Sequence, residues 1–239
     1  MIPRESTWSS GRRRRDATSD RIHERRPAQD HERKLIKKVK DLNNEKRKSV
    51  PPPNPSTDCM FFAGTSGRLL LRTDDRVMLF EPQSRRVLAE LQVARIKYVI
   101  WNQDCSRVAL LSKHGALSLV SHSLMILNQG ITIASRDLEQ LCSVTETVRV
   151  KGGGWDDRIF LYTTLNHVKY CLTNGDTGII RTLDVPVYIT RANQKQLYCL
   201  DRELKHCILS VDNTEAVFKL ALEDKNYLEV MNMIKHSKL

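Results

Sequence analysis

The sequence lacks the residue patterns that identify most metal proteins and thiol enzymes. Its cysteines include no Cys-x-x-Cys pair, and no histidine stands at zinc-finger spacing from any of them. Most of the cysteines lie within short apolar runs, where a free thiol behaves as a small hydrophobic group. We therefore expect no metal site and no cofactor, and reduced thiols as in a cytosolic protein. The cysteines are Cys59, Cys105, Cys142, Cys171, Cys199 and Cys207.

Apolar runs long enough for a signal peptide or a membrane span are also missing. The first thirty residues are rich in arginine and have no apolar centre, which argues against a secretory signal. Residues 115–135 contain no Asp, Glu, Lys or Arg, but serine, histidine, asparagine and glutamine interrupt them. A spanning helix needs about 20 mostly apolar residues. We expect a cytoplasmic protein that meets membranes only from outside.

Charge is unevenly distributed along the chain. The formal net charge of +11 at pH 7 by itself suggests a polyanionic partner. Residues 1–58, however, hold 16 Lys and Arg against 9 Asp and Glu, so most of the excess lies in the segment with the least apolar content. No aromatic residues for base stacking alternate with the Arg12–Arg15 run or with Lys37 and Lys38. We therefore favour a solvated, charged tail for residues 1–58. A basic RNA-associated protein is the alternative function.

Composition divides the chain into three segments. Residues 1–58 are predicted to be a basic, largely disordered segment with a proline-rich linker, in which Leu35–Val50 has some helical potential. Residues 59–212 alternate short apolar runs, such as Ile179–Leu183 and Val185–Thr190, with turn residues, which indicates a β-meander. At about 40–45 residues per blade, this segment amounts to about three and a half blades of a WD-type β-propeller.

Residues 213–239 change to helical periodicity, with candidate caps at Asp212–Thr214 and at Asn226. Two short helices cannot cover each other's apolar faces, which favours the opening repeat of a helical solenoid. The predicted fold class is mainly β: a partial WD40-like β-propeller followed by the first helices of an α-solenoid. The apolar residues at helical intervals are Phe218, Ala221, Leu222, Leu228, Met231 and Ile234.

Several residues resemble functional motifs but have simpler structural explanations. Gly152–Gly154 could cradle a phosphate, but no Gly-Lys-Ser/Thr follows, so we predict a turn between blade strands. Asp156 and Asp157 are predicted to form a turn rather than an acid–base pair, and Trp101 and Trp155 to be core aromatics. We predict no catalytic, cofactor-binding or metal-binding residue, and no enzyme. The histidines without a matched carboxylate or nucleophile are His114, His122, His167 and His206.

Longer stretches resemble a known family over roughly Leu35–Leu239. They are similar to the second β-propeller of coatomer alpha subunits and to the helices that follow it. The first stretches that carry the resemblance are Ala63–Thr65, Leu69–Arg72, Lys97–Trp101 and Val108–His114. The later and closer ones are Val148–Lys151, Gly154–Asp157, Tyr162–Tyr170, Gly178–Pro186, Tyr198–Arg202 and Phe218–Leu222.

The resemblance implies a structural component of the COPI vesicle coat, which serves Golgi-to-ER retrograde and intra-Golgi protein transport. It implies other coatomer subunits as partners, the beta-prime and epsilon subunits among them, and indirect association with Golgi membranes through the coat and its small GTPase. No nucleic acid and no transmembrane segment are expected. The dilysine-recognising propeller of the family has no counterpart here. A WD-repeat adaptor of another cytosolic assembly is the alternative.

Three departures from the family pattern stand out. Met1–Lys34 does not resemble the family, and residues 115–130 form an insertion between segments that are nearly contiguous in relatives. The sequence also stops where further solenoid repeats are expected. We therefore expect a fragment or a mispredicted gene product.

Overall fold

The computed structural model describes residues 37–40, 47–50, 53–54, 56–65, 67–93, 95–112, 118–120, 123–125 and 129–236. Most of the strands in these residues belong to sheets in which consecutive strands pair antiparallel, and we call these sheets blades 1 to 4. Two short hairpins stand apart from the blades. In the first, β1 (Lys37–Lys40) pairs with β2 (Arg47–Val50). In the second, β9 (Ser118–Val120) pairs with β10 (Ser123–Met125).

The blades follow one another along the chain. Blade 1 consists of β3 (Cys59–Phe62), β4 (Leu69–Arg72), β5 (Val77–Glu81) and β6 (Arg86–Leu91). Blade 2 consists of β7 (Ile96–Trp101), β8 (Arg107–Ser112), β11 (Gln129–Ser135) and β12 (Gln140–Glu146). Blade 3 consists of β13 (Gly152–Asp156), β14 (Ile159–Thr163), β15 (His167–Cys171) and β16 (Thr177–Thr182). Blade 4 contains β17 (Tyr188–Asn193), β18 (Gln196–Leu200) and β19 (His206–Ser210).

Burial explains why the middle strands are almost continuously apolar. Every residue of β14 is buried, as are the four central residues of β8, because both faces of a middle strand are covered. The edge strand β6 instead alternates half-buried and exposed residues, which is the period of two for a strand covered on one face. The meander of a mainly β chain is therefore confirmed.

Three sequence predictions are corrected by the structure. Leu35–Val50 contains the paired strands β1 and β2 rather than a helix, because a hairpin satisfies the backbone groups that an isolated short helix leaves exposed. The strand predicted at Val185–Thr190 begins only at Tyr188. Pro186 lacks a backbone N–H and cannot contribute a donor to the ladder. Gly152–Gly154 was predicted as a turn but forms most of β13.

Two helices follow the last strand. α1 (Thr214–Glu223) buries Ala216, Leu220 and Ala221, and α2 (Tyr227–His236) buries only Val230. The predicted cap of α2 is confirmed, because Asn226 Oδ1 accepts the backbone N–H of Glu229 at 3.3 Å.

At the start of α1, the N-cap residue Asn213 makes no capping bond through its side chain. Asp212 Oδ1 instead accepts the backbone N–H of Thr214 at 3.1 Å and its hydroxyl at 2.6 Å. Over the described part of the chain, neither helix has the length and apolar character needed to cross a membrane.

Parts of several predictions lie outside the described residues. These are residues 1–36 of the segment 1–58 that was predicted to be largely disordered, the Arg12–Arg15 run within it, His114 and His122. The predicted insertion at 115–130 is described only at β9, β10 and the first two residues of β11.

Candidate interaction site at the blade contacts and the helix junction

Two tryptophans connect neighbouring blades through their indole N–H groups. Trp101, the last residue of β7, donates Nε1–H to the backbone oxygen of Phe62 in blade 1 at 2.9 Å. Trp155 in β13 donates Nε1–H to the backbone oxygen of Ile100 in blade 2, also at 2.9 Å. Trp155 is buried, as predicted, whereas Trp101 is half-buried. Each indole therefore joins the first strand of its own blade to the first strand of the preceding one.

A carboxylate makes the corresponding connection between blades 3 and 4. Both oxygens of Asp156, at the end of β13, accept backbone N–H groups of the β17–β18 turn, from Gln194 at 3.0 Å and from Lys195 at 3.2 Å. Asp157 lies in the adjacent turn with φ of 52°. The predicted turn is confirmed for Asp157, whereas Asp156 is the last residue of β13 and has an inter-blade role that the sequence did not reveal.

The glycines of β13 allow close approach to its neighbours. A Cβ atom on Gly153 would lie 2.4 Å from Cζ of Phe160 and 3.0 Å from the backbone oxygen of Leu161. A Cβ atom on Gly154 would lie 3.3 Å from the backbone nitrogen of Ala192 in β17. Glycine in a strand marks such a close approach. This packing is the physical reason why the glycines form a strand and not a turn.

A buried carboxylate connects blade 2 to blade 3. Glu146, at the end of β12, has a side chain that is 7% exposed. It accepts the hydroxyl of Tyr162 at 2.5 Å and the ammonium of Lys169 at 2.8 Å. Burial, followed by the bond to Glu146, raises the pKa of Tyr162 above its ordinary value. Glu146 provides a hydrogen-bond partner for both Tyr162 and Lys169. The three side chains therefore form a polar contact within the otherwise apolar interface between blades 2 and 3.

Helix α1 is attached to blade 3 by a polar triad. The Tyr170 hydroxyl in β15 donates to Glu215 at 2.8 Å and accepts from the Lys219 ammonium at 3.0 Å. Glu215 and Lys219 also pair with each other at 3.0 Å, one helical turn apart. The bond to Tyr170 and the ion pair raise the pKa of Lys219. The helix side of the contact is apolar as well, since Ala216 and Leu220 join the core formed by blades 3 and 4.

A cleft of about 410 Å³ lies at the junction of blades 3 and 4 with the helices. Arg158, after β13, pairs there with Asp224 at the end of α1, and this pairing lowers the pKa of Asp224. Asn213 is buried, and its Oδ1 has no hydrogen-bond partner within the described residues. The other residues that line the cleft are Asp156, Asp157, Ile159, Gln194, Lys195, Val217, Leu220, Ala221 and Asn226.

The outward face of α2 is apolar and exposed. The exposed fraction is 76% for Leu228, 51% for Met231 and 47% for Ile234. These residues are spaced by three positions, so they lie along one side of the helix. Large apolar side chains grouped in this way are typical of an interaction surface.

Two of the four candidate histidines lie within the described residues. His167 lies in β15, whereas His206 is exposed at the start of β19. Across the described ranges, no group of three His, Cys, Asp or Glu residues is placed to hold a metal ion. The residues with structural consequences are instead Trp101, Trp155, Asp156 and Glu146, all at contacts between blades.

Comparison with known sequences identifies relatives for most of the chain. The family model described as the COPA/B second β-propeller matches residues 28–201. Coatomer subunit alpha-1 of Arabidopsis thaliana is 50% identical over 202 residues, which cover 84% of this chain and 15% of that protein. Coatomer subunit alpha of Dictyostelium discoideum is 37% identical over the same shares of the two chains. The chain therefore spans about 15% of the length of these relatives.

Solved structures, one of them described as a β-propeller domain, share the fold. The Cps50 (Swd1) β-propeller domain of Myceliophteria thermophila superposes with a TM-score of 0.53 at 10% identity, over 73% of this chain and 63% of that one. Hsv2 of Kluyveromyces lactis gives a TM-score of 0.51 at 7% identity, over 73% of this chain and 54% of that one. At these identities the likeness concerns the fold alone. It supports the interpretation of the four sheets as propeller blades.

Proposed function

The chain belongs to the coatomer alpha-subunit family, where it corresponds to the second β-propeller and the helices after it, and we propose that it is a scaffold element of the COPI vesicle coat. In this role it supports coat assembly for Golgi-to-ER retrograde and intra-Golgi protein transport. The observation that carries the proposal is the 50% identity to coatomer subunit alpha-1 over 84% of the chain.

The contacts between blades suit a scaffold. Each pair of neighbouring blades is joined by a side-chain hydrogen bond from the first strand of one blade, made by Trp101, Trp155 or Asp156. The Glu146 cluster adds a second link between blades 2 and 3. Such cross-connections let neighbouring blades transmit force as one body, because a blade cannot tilt without breaking these polar bonds. No residue needs to perform chemistry in this role, and the chain acts as a non-enzymatic coat component.

The two helices extend the scaffold as the first repeat of an α-solenoid, which begins at about residue 213. The triad of Tyr170, Glu215 and Lys219 fixes α1 to blade 3. The exposed side of α2, with Leu228 and Met231, is the face that a following helical repeat covers, since a solenoid buries its core only between neighbouring repeats. Residues 59–212 form the partial propeller of this arrangement, and residues 1–58 precede it as a basic segment.

The partners in this proposal are other coatomer subunits, including the beta-prime and epsilon subunits. Attachment to the cytoplasmic side of Golgi membranes is then indirect, through the assembled coat and its small GTPase. Many weak contacts in such a lattice add up to firm attachment. No nucleic acid takes part.

Affinity purification of the tagged chain from eukaryotic cells, followed by mass spectrometry, tests the proposal. We expect the beta-prime and epsilon subunits to be recovered. The variant Leu228→Asp, which places a charge on the exposed face of α2, should leave their recovery unchanged, because that face is assigned to a following helical repeat and not to a partner subunit. The control Glu229→Lys, which changes a neighbouring exposed charge, should also leave it unchanged. Recovery of RNA that is released by salt, without coatomer subunits, would favour the RNA-associated alternative. Recovery of a different protein assembly would favour a WD-repeat adaptor.

A further inference from the structure

Exposed apolar side chains lie in four connections at one face of blades 2 to 4. The exposed fraction is 45% for Val148, 41% for Leu165, 59% for Val185 and 78% for Leu204. Two of these residues lie in connections between blades, and two lie in turns within blades 3 and 4. Because successive strands of a blade run antiparallel, all four connections emerge at the same face. We call these four side chains the apolar tips.

Hydrogen bonds hold three of the four connections together at their bases. Lys151 donates its backbone N–H to the backbone oxygen of Thr163 at 2.7 Å. The Thr163 hydroxyl donates to the backbone oxygen of Val187 at 2.9 Å. The backbone N–H of Leu183 donates to the backbone oxygen of Asn166 at 2.6 Å. Each of these connections carries one of the first three apolar tips, so those tips belong to one patch of the surface.

The fourth tip, Leu204, lies in a turn that holds it in a strained conformation. The Asp201 N–H donates to the backbone oxygen of Lys205 at 3.0 Å, and Asp201 Oδ1 accepts the Lys205 N–H at 2.8 Å. Leu204 has φ of 62°, in the left-handed region that bulky residues seldom occupy. Because most of its side chain is exposed, little packing within the chain compensates for this conformation. Strain of this kind is concentrated at functional sites.

The four connections also carry a surplus of positive charge. They hold four Lys or Arg against three Asp or Glu, whereas the connections at the opposite face of blades 2 to 4 hold three against five. Both large apolar side chains of the opposite connections, Leu138 and Leu172, are buried. The two faces therefore differ in charge and in apolar exposure. The connections compared are 147–151, 164–166, 183–187 and 201–205 on this face, and 102–106, 136–139, 157–158, 172–176 and 194–195 on the other.

An anionic bilayer surface matches this arrangement. Apolar side chains gain free energy by entering the boundary between headgroups and acyl chains, and cations beside them are attracted to anionic lipids. Arg149 directly follows Val148, and Lys205 directly follows Leu204, so both interactions are available at the same tips. A protein interface typically has a continuous apolar core instead. Here the apolar side chains are single residues on separate connections.

The connection between β8 and β11 begins and ends at the same face of blade 2. Its hairpin strands, β9 and β10, have the sequences Ser-Leu-Val and Ser-Leu-Met and contain no charged residue. Charged residues are costly to bring into the hydrocarbon region of a bilayer. The composition of this hairpin therefore does not oppose close contact between this face and a lipid surface.

We propose that the apolar tips and the cations beside them form a surface that binds an anionic lipid bilayer directly. This contact adds to the indirect attachment through the coat and requires no partner subunit. Strand β19 starts at this face and ends at the opposite one, where α1 follows it. The two helices therefore begin on the side of the blades that faces away from the bilayer.

Flotation of the purified 239-residue chain with lipid vesicles tests the proposal, because aggregated protein sediments and only vesicle-bound protein rises. We expect binding to phosphatidylcholine vesicles that contain about 30 mol% phosphatidylserine, and much weaker binding to pure phosphatidylcholine. Leu204→Asp should reduce binding to the anionic vesicles at least about tenfold, and Val185→Asp at least about fivefold. Aspartate occupies the left-handed region more readily than leucine, so Leu204→Asp should fold normally.

The matched control is Ile179→Asp. Ile179 is 55% exposed and lies within the edge strand β16, away from the apolar tips, so this variant adds the same charge at a similar exposure and should bind normally. All variants retain residues 1–58, so binding through the Arg12–Arg15 run cannot explain a difference between them. Circular dichroism checks that each variant is folded.

Three results would overturn the proposal. The first is equal binding by the control and the two tip variants, Leu204→Asp and Val185→Asp. The second is equal flotation with both kinds of vesicle. The third is unchanged flotation of the tip variants together with weaker recovery of coatomer subunits, which would assign the surface to a protein partner. The vesicle experiment contains no coat subunit, so its failure would leave the scaffold role intact.

Discussion

Replacing Gly153 by alanine is the sharpest test of the packing between β13 and its neighbours. The added Cβ would lie 2.4 Å from Cζ of Phe160, whereas non-bonded carbon atoms prefer about 3.5–4.0 Å. Phe160 cannot move away easily. It is fully buried between the rings of Trp155 and Tyr162, with ring centroids at 5.2 and 6.2 Å. The backbone oxygen of Leu161, 3.0 Å from the new atom, is equally fixed.

The magnitude follows from two opposing terms. Overpacking a well-filled core costs typically about 1–3 kcal/mol. Alanine recovers about 0.5–1 kcal/mol of the entropy that glycine loses in a strand. Because both contacts at Gly153 involve immobile atoms, we expect Gly153→Ala to lower the free energy of unfolding by about 2 kcal/mol. With a slope near 2 kcal/mol per molar urea, the midpoint of unfolding falls by about 1 M.

The adjacent glycine supplies the control. A Cβ atom on Gly152 would lie 3.5 Å from the backbone nitrogen of Ile189, which is an ordinary contact. Gly152→Ala should therefore be neutral or slightly stabilising in the same urea titration, followed by tryptophan fluorescence. Combining Gly153→Ala with Phe160→Leu, which removes the clashing ring, should restore part of the loss beyond additivity. Equal midpoints for Gly152→Ala and Gly153→Ala would refute the account of β13.

Local patterns were sufficient to predict most strands. The predicted strand Ile159–Thr164 begins with four large apolar and aromatic residues, and its residues Ile159–Thr163 form the fully buried β14. The apolar residues of β15 follow the same logic, because the hydrophobic periodicity of a strand reports directly on which of its faces are buried. The helical intervals after Asp212 likewise predicted α1 and α2. These strands and helices depend on residues that are close together in the sequence, so their periodicity can be recognised without knowing the fold.

Features that depend on distant contacts were missed. Three glycines in a row indicate a turn locally, and only Phe160 and β17, brought together by the fold, make a strand of them. Glu146 gives no signal of its own, since its partners Tyr162 and Lys169 are 16 and 23 residues away. The tryptophans were predicted as core residues, but not as donors to backbone oxygens of the preceding blade. A tryptophan near the end of the first strand in two successive strand groups was the available signal.

The remaining predictions concern the polar links between blades 2 and 3. Trp155→Phe removes the N–H that is bonded to the Ile100 oxygen. We expect the free energy of unfolding to fall by about 1–3 kcal/mol, which thermal unfolding shows as a lower Tm. Glu146→Gln leaves the Lys169 ammonium without its counter-charge. Because the Lys169 side chain is 23% exposed, we expect the free energy of unfolding in urea to fall by about 2 kcal/mol, which is less than the about 3–5 kcal/mol lost when a fully buried pair is broken. The third prediction concerns pH. Burial and the bond to Glu146 raise the pKa of Tyr162 above its ordinary 10.0, so the folded chain keeps a proton that the unfolded chain releases. The stability gained from this difference is fully present below about pH 10 and declines as the pH rises further. Tyr162→Phe should cost stability at pH 7 yet flatten the decline between about pH 10 and 11, and parallel declines in both proteins would contradict the assignment.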